Sequence, residues 1–137
     1  MGELAFEKKE VRKAVNKNKL VGKKFRLIEE TKNLILDLDN ILKNCPRSEY
    51  NIKEVIENDV ITMFDYQLQA NRCDSKKEKL KYINKIKAKL DSLDFHFERL
   101  YIKGIITKKK QESIVRRLLL ITKLATGWFK IINGEGS

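Results

Sequence analysis

The sequence predicts an all-α protein built as an antiparallel up-and-down four-helix bundle. Three observations carry that prediction. Apolar residues recur at spacings of three and four along four long stretches, the mark of one buried stripe per helix. One Pro and 6 Gly leave few turn signals, which argues against a sandwich or barrel of many short strands. The breaks between the stretches are short, so consecutive helices must be antiparallel neighbours. A length of 137 residues suits one domain, and a hydrophobic share of 42% is enough for a core and too high for a disordered basic tail.

The first helix is expected over residues 21–43, with Leu27, Thr31, Leu34, Leu38 and Ile41 on one face. Asn44-Cys45-Pro46-Arg47-Ser48 ends it, because proline cannot occupy a helix interior. The second helix is expected over 49–70. Either Ser48 or the capping box Asn51-Ile52-Lys53-Glu54 starts it. Its inner face carries Ile52, Ile56, Val60, Met63 and Gln67, with Val55 and Phe64 beside them. The polar cluster Asn71–Ser75 follows, and a second capping box, Ser75-Lys76-Lys77-Glu78, opens a third helix over 76–103. That helix presents Leu80, Ile83, Ile86, Leu90, Leu93, Phe97 and Leu100. Lys103-Gly104-Ile105-Ile106-Thr107 supplies a glycine stop and a threonine start. The fourth helix, over 108–132, presents Ile114, Leu118, Ile121, Ala125, Trp128 and Ile132.

Residues 1–20 read as a basic, partly ordered N-terminal extension, 21–133 as the bundle and 134–137 as a flexible end. The opening residues lack the apolar region of a secretory signal and the pattern of a myristoylation site. No stretch approaches 18 consecutive apolar residues, so no transmembrane helix is expected. A cytoplasmic protein is the expectation.

The chain holds 30 Lys+Arg against 19 Asp+Glu, a net charge of +11, and the surplus is uneven. Residues 25–43 and 44–73 are slightly acidic, at −1 and −2, whereas 1–24, 74–103 and 104–137 carry +5, +4 and +5. At about 100° per residue, Lys109, Arg116, Lys123 and Lys130 recur every seventh position, opposite the apolar stripe of the fourth helix. Lys77, Lys81 and Lys85 recur every fourth position on the third. Two such ridges on adjacent helices would make one positive face, which attracts nucleic acid by releasing condensed counterions. Lysines on outer faces also serve solubility alone. The two ridges, the basic arm and the overall charge together favour binding to RNA or DNA. A membrane surface is disfavoured, since no helix sets Trp or Phe among lysines on a free face. Most aromatics fall on core stripes, so backbone contact without strong sequence readout is expected.

The fourth helix has a second apolar stripe, Leu120, Leu124 and Ile131, with Leu119 and Phe129 on its other flank. Either this helix is buried on two sides within one chain, or the stripe packs on another subunit. An exposed stripe of this size would be adhesive, and the three residues are assigned to an oligomer interface.

Catalytic and metal chemistry are not expected, nor is any cofactor. Cys45 and Cys73 sit at opposite ends of the second helix, about 30 Å apart, too far for a disulfide. Neither has a CxxC or His partner for zinc. His96 is the only histidine and lies about 100° off the core centre of the third helix, at the edge of its buried face, where packing or solvent exposure explains it. Asp91, Asp94 and Glu98 line one flank of the third helix. Ion pairing with residues such as Lys87, four positions earlier, explains that flank more simply than acid–base catalysis does; basic side chains of a neighbouring subunit are another possible match. No phosphate-binding glycine loop and no nucleophile–base pair is present.

Three segments carry a family resemblance. Cys45-Pro46-Arg47-Ser48-Glu49-Tyr50 resembles the proline-led opening of the second helix in a family of small bacterial four-helix-bundle proteins. Ile102-Lys103-Gly104-Ile105-Ile106-Thr107 resembles that family's third connection, and Gly127-Trp128-Phe129-Lys130 its C-terminal signature. The family comprises the proteins encoded in 23S rRNA intervening sequences and the accessory variability determinants of diversity-generating retroelements. The likeness covers about residues 22–132. It implies a ring-like homo-oligomer, a homopentamer, with a basic outer surface. It also implies a non-enzymatic accessory protein that binds nucleic acid and associates with the retroelement reverse transcriptase, which copies a template RNA for mutagenic retrohoming. Pro46, Tyr50, Gly127 and Trp128 would then be structural, marking a helix start and a close-packed helix end. The alternative within the same family is an intervening-sequence-type bundle acting as a structural or protein-interaction module.

Overall fold

The computed structural model describes residues 15–134. Helix α1 spans Val15–Ile41, α2 Tyr50–Arg72, α3 Lys76–Ile102 and α4 Lys108–Ile132, with a 3-10 turn over Arg47–Glu49 ahead of α2. No strand occurs among the described residues. Each helix packs on two others: α1 on α2 and α4, and α3 on α2 and α4, while the diagonal pairs stay apart. The four-helix fold expected from periodicity is present, and its elements fall close to the expected ranges.

The chief difference in extent lies in α1, which starts at Val15 rather than near 21. The apolar rhythm fades before Phe25, but no proline interrupts the chain there, so helical hydrogen bonding continues. Residues 1–14 and 135–137, which hold most of the basic extension and the expected flexible end, lie outside the described residues.

The helix boundaries follow local chemistry. Ser75 accepts a hydrogen bond from the Glu78 amide at 3.3 Å, and Thr107 accepts one from Lys110 at 3.1 Å. Both are the expected N-caps, each contributing about 1 kcal/mol. The capping box at Asn51–Glu54 does not form. The 3-10 turn after Pro46 leads straight into α2, Asn51 lies inside the helix, and Ser48 lies inside the turn. Gly104 takes φ +75° after α3. Its amide bonds Tyr101 O at 2.9 Å and that of Ile105 bonds Leu100 O at 2.9 Å, a Schellman stop that needs glycine's left-handed backbone.

The inner stripes meet in one core, in which Trp128 and Phe97 are the largest fully buried side chains. Each fully buried Leu, Ile or Met adds about 1.5–3 kcal/mol. Two core stripes contain polar members, and they find each other. Gln67 Nε2 donates to Thr31 Oγ1 at 2.8 Å, and Thr31 Oγ1 donates to Leu27 O at 2.9 Å. Gln67 Oε1 is buried with no partner among the described residues. Asp59, also buried, accepts from Ser92 Oγ at 2.6 Å and Lys89 Nζ at 3.2 Å across the α2–α3 seam. Asp37 and Arg117 pair at 3.0 Å across α1–α4.

The Thr31–Gln67 contact predicts an asymmetry. Thr31→Val strands the whole Gln67 amide in the core and should cost about 1–3 kcal/mol. Gln67→Leu removes the orphaned oxygen and fills the same space, and should be within about 1 kcal/mol of neutral. Urea unfolding of the two variants checks the contrast; equal losses would contradict it.

Candidate nucleic-acid interface

Lys109, Arg116, Lys123 and Lys130 are all exposed on α4. A seven-residue step rotates about 20° around a helix, so the row drifts by about 60° from Lys109, at the α1–α4 cleft, to Lys130. None of the four makes an ion pair among the described residues. The adjacent Arg117, turned toward α1, is half-buried and paired with Asp37.

The start of α4 departs from the usual helix pattern. Lys108, Lys109 and Lys110 fill the first turn, which contains no acidic residue. Positive charge there opposes the helix dipole by about 0.3–1 kcal/mol per residue. Lys109 and Lys110, with Ser113, Arg117, Asn40 and Asp37, border an open cleft of about 440 Å³ between α1 and α4. Three cations against one carboxylate make this end of α4 attractive to anions.

Lys77, Lys81 and Lys85 are also exposed and unpaired by carboxylates among the described residues. The row does not join the α4 row on one face. A four-residue step advances about 40°, and the row winds toward α2. Lys85 Nζ lies 5.4 Å from the ring centroids of both Tyr66, on α2, and Tyr82. The flank of α3 that faces α4 carries acids instead: Asp91 and Asp94 line a groove of about 270 Å³ with Leu90, Val115, Leu118, Leu119 and Thr122. The expected single positive face is therefore two separate basic rows with an acidic groove between α3 and α4. The expected intrahelical pairing of Asp91 with Lys87 is likewise absent, because Lys87 Nζ sits over the Phe129 ring at 5.5 Å.

The stripe assigned to an oligomer interface is largely consumed within one chain. Leu124 is buried in the core, Leu120 packs against it, and Ile131 is half-buried. The apolar side chain that α4 leaves most open is Leu119, at 53% exposure, beside the acidic groove. The wide apolar arc of α4 arises because that helix packs on two neighbours, α1 and α3.

Pro46 is exposed and extended at the start of the 3-10 turn, and Tyr50 opens α2 with Lys53 Nζ 4.9 Å from its ring. Gly127 is half-buried and Trp128 fully buried. His96 is half-buried, with Nδ1 3.1 Å from Arg99 Nη1 and its ring beside Phe95. Cys45 and Cys73 are free thiols. Burial pushes the Cys45 thiol up, with Glu49 and Glu57 adding to the effect and Lys53 opposing it. No group of three or more potential metal ligands occurs among the described residues, and no helix among them is long and apolar enough to cross a membrane.

No protein-family model, curated protein or solved structure matches this chain. The resemblance read from Cys45–Tyr50, Ile102–Thr107 and Gly127–Lys130 therefore rests on those residues alone.

Proposed function

We infer that this protein is a non-enzymatic nucleic-acid-binding accessory protein, holding RNA or DNA phosphates on its two basic rows. One observation carries the reading: Lys77, Lys81, Lys85, Lys109, Arg116, Lys123 and Lys130 are exposed and have no carboxylate partner among the described residues. Unpaired cations in rows recruit polyanions through counterion release, with little dependence on base sequence. Log affinity should fall linearly with log salt in filter binding; a slope near zero would remove the reading.

The family likeness supports a finer version. The protein would work in the cytoplasm beside the reverse transcriptase of a diversity-generating retroelement, supporting template-RNA copying and mutagenic retrohoming. A reverse-transcriptase gene and a template/variable repeat pair next to the coding region would support that version, and their absence would count against it. The same likeness supports a ring-like homopentamer. Sedimentation should then give about five times the 16.1 kDa chain mass, and Leu119→Glu, which puts a charge beside Asp91 and Asp94, should drive the mass toward a single chain. A wild-type mass of one chain at micromolar concentration would refute the assembly.

A second reading is a structural or protein-interaction module of the intervening-sequence type. Leu36 and Ile102, exposed by 78% and 73%, favour it. Recovery of a protein partner without polyanion binding at physiological salt would select it.

A further inference from the structure

Tyr66 and Tyr82 are sixteen positions apart and on different helices, yet their rings meet across the α2–α3 seam. The centroids are 6.1 Å apart and the planes tilted by 39°. Both side chains are half-buried, with their inner parts packed against the core. No hydrogen bond from either phenol to a described residue is present. Lys85 Nζ lies 5.4 Å from both centroids, and Lys77 and Lys81 continue the cationic row along α3.

We propose that this tyrosine pair is a base-stacking site, and that the nucleic acid bound along the α3 row is single-stranded. The proposal rests on the backbone-binding reading above and adds the class of nucleic acid. Bases in a duplex are stacked on each other and cannot reach a ring on a helix seam. An unpaired strand exposes the faces of its bases, and aromatic rings beside a cationic track are how sequence-tolerant single-strand sites are built. A base that enters takes the ring surface now held by Lys85. The ammonium then turns to the adjacent phosphate, exchanging a cation–π contact for a charge-assisted hydrogen bond.

The surroundings single out this pair. Phe95 is more exposed, at 58%, with the His96 ring tilted beside it and the Arg99 guanidinium 6.0 Å from its centroid, but that cation is offset by Asp94 and Glu98 on the same helix and no cationic row runs past the ring. Phe129 is occupied by Lys87 and Tyr50 by Lys53, each as a lone ring. One turn farther along the α2–α3 seam Lys89 is neutralised by Asp59, which ends the uncompensated run at Lys85. Glu78 lies one turn before Tyr82 and the exposed Asp65 lies next to Tyr66, so Lys77, Lys81 and Lys85 outnumber the nearby carboxylates by three to two.

Fluorescence anisotropy with a labelled single strand, its duplex, and an abasic strand with the same number of phosphates tests the site. The wild-type protein should bind the ordinary single strand about 10-fold more tightly than the abasic one. A Tyr66→Leu/Tyr82→Leu variant should lose about 10-fold on the single strand and nothing on the duplex. Tyr66→Phe/Tyr82→Phe should retain wild-type affinity. Equal wild-type affinity for the abasic and ordinary strands overturns the stacking site while leaving backbone binding intact. That comparison needs no variant to fold. Absence of salt-dependent binding to all three probes removes the backbone reading and the stacking site with it.

Discussion

Lys109→Glu, Arg116→Glu, Lys123→Glu and Lys130→Glu, introduced together, should abolish measurable duplex binding along α4 at moderate salt, while the separate α3 row still holds single strands. The four positions lie in one exposed row along α4 and have no partner among the described residues to lose. If each neutralises one phosphate, the row accounts for a slope of about −3 to −4 in log affinity against log salt. A fourfold rise in salt alone would then weaken binding about 100-fold. Reversal removes the attraction and adds repulsion, so the loss at low salt should be at least that large. The fold should survive. Glu at 109 sits in the first turn of α4, where negative charge favours the dipole, while Glu at 130 sits in the last turn, where it does not. The two effects are each below about 1 kcal/mol and oppose one another. Filter binding checks affinity and far-UV circular dichroism checks the fold. Unchanged affinity in a folded variant would take the α4 row out of the interface.

The largest expected effect on stability comes from Trp128→Ala. Trp128 is 1% exposed and is the largest buried side chain of the core. Its removal deletes the transfer energy of the indole and leaves a cavity that four packed helices fill only in part, a loss of about 3–5 kcal/mol. Domains of this kind have about 5–15 kcal/mol in total, so the variant should be near the edge of folding. For a chain of this length the melting temperature should drop by about 10–20 °C. Circular dichroism is the suitable probe, since Trp128 is the only tryptophan. A drop of less than about 3 °C would mean that the C-terminal part of α4 is not packed as described.

Much of the bundle was readable from the chain because the signals are local. Leu27, Leu34 and Leu38 on α1, or Ile83, Ile86 and Leu90 on α3, declare a buried face through spacing alone. Ser75, Gly104 and Thr107 declare helix ends through the backbone groups they satisfy or the φ they permit. Where two local signals competed, the reading failed: Asn51–Glu54 has the spacing of a capping box, but the constraint imposed by Pro46 starts the turn earlier. The exposure of all seven row cations was also legible, since it is the complement of the buried stripe.

Contacts between flanks were not legible. Leu124 and Leu119 are both off-centre on α4, and only the positions of α1 and α3 decide that the first is buried and the second open. Lys87 and Asp91 have ideal intrahelical spacing, yet Phe129 on a neighbouring helix captures the ammonium. Tyr66 and Tyr82 carry no shared motif, and each alone resembles a boundary residue.

The sequence by itself determined the helices, their inner stripes and the rows of cations opposite them, because these depend on residues three, four or seven apart in one rigid screw. The tertiary structure decided what each row meets. Successive i, i+4 positions precess by about 40° in one sense and i, i+7 positions by about 20° in the other, so each row turns by a comparable angle over its length, toward opposite flanks of its helix. Which seam the α3 row reaches depends on the neighbour at that flank. Here it is α2, with Tyr66 waiting across the seam, and a bulk charge of +11 becomes two distinct basic tracks.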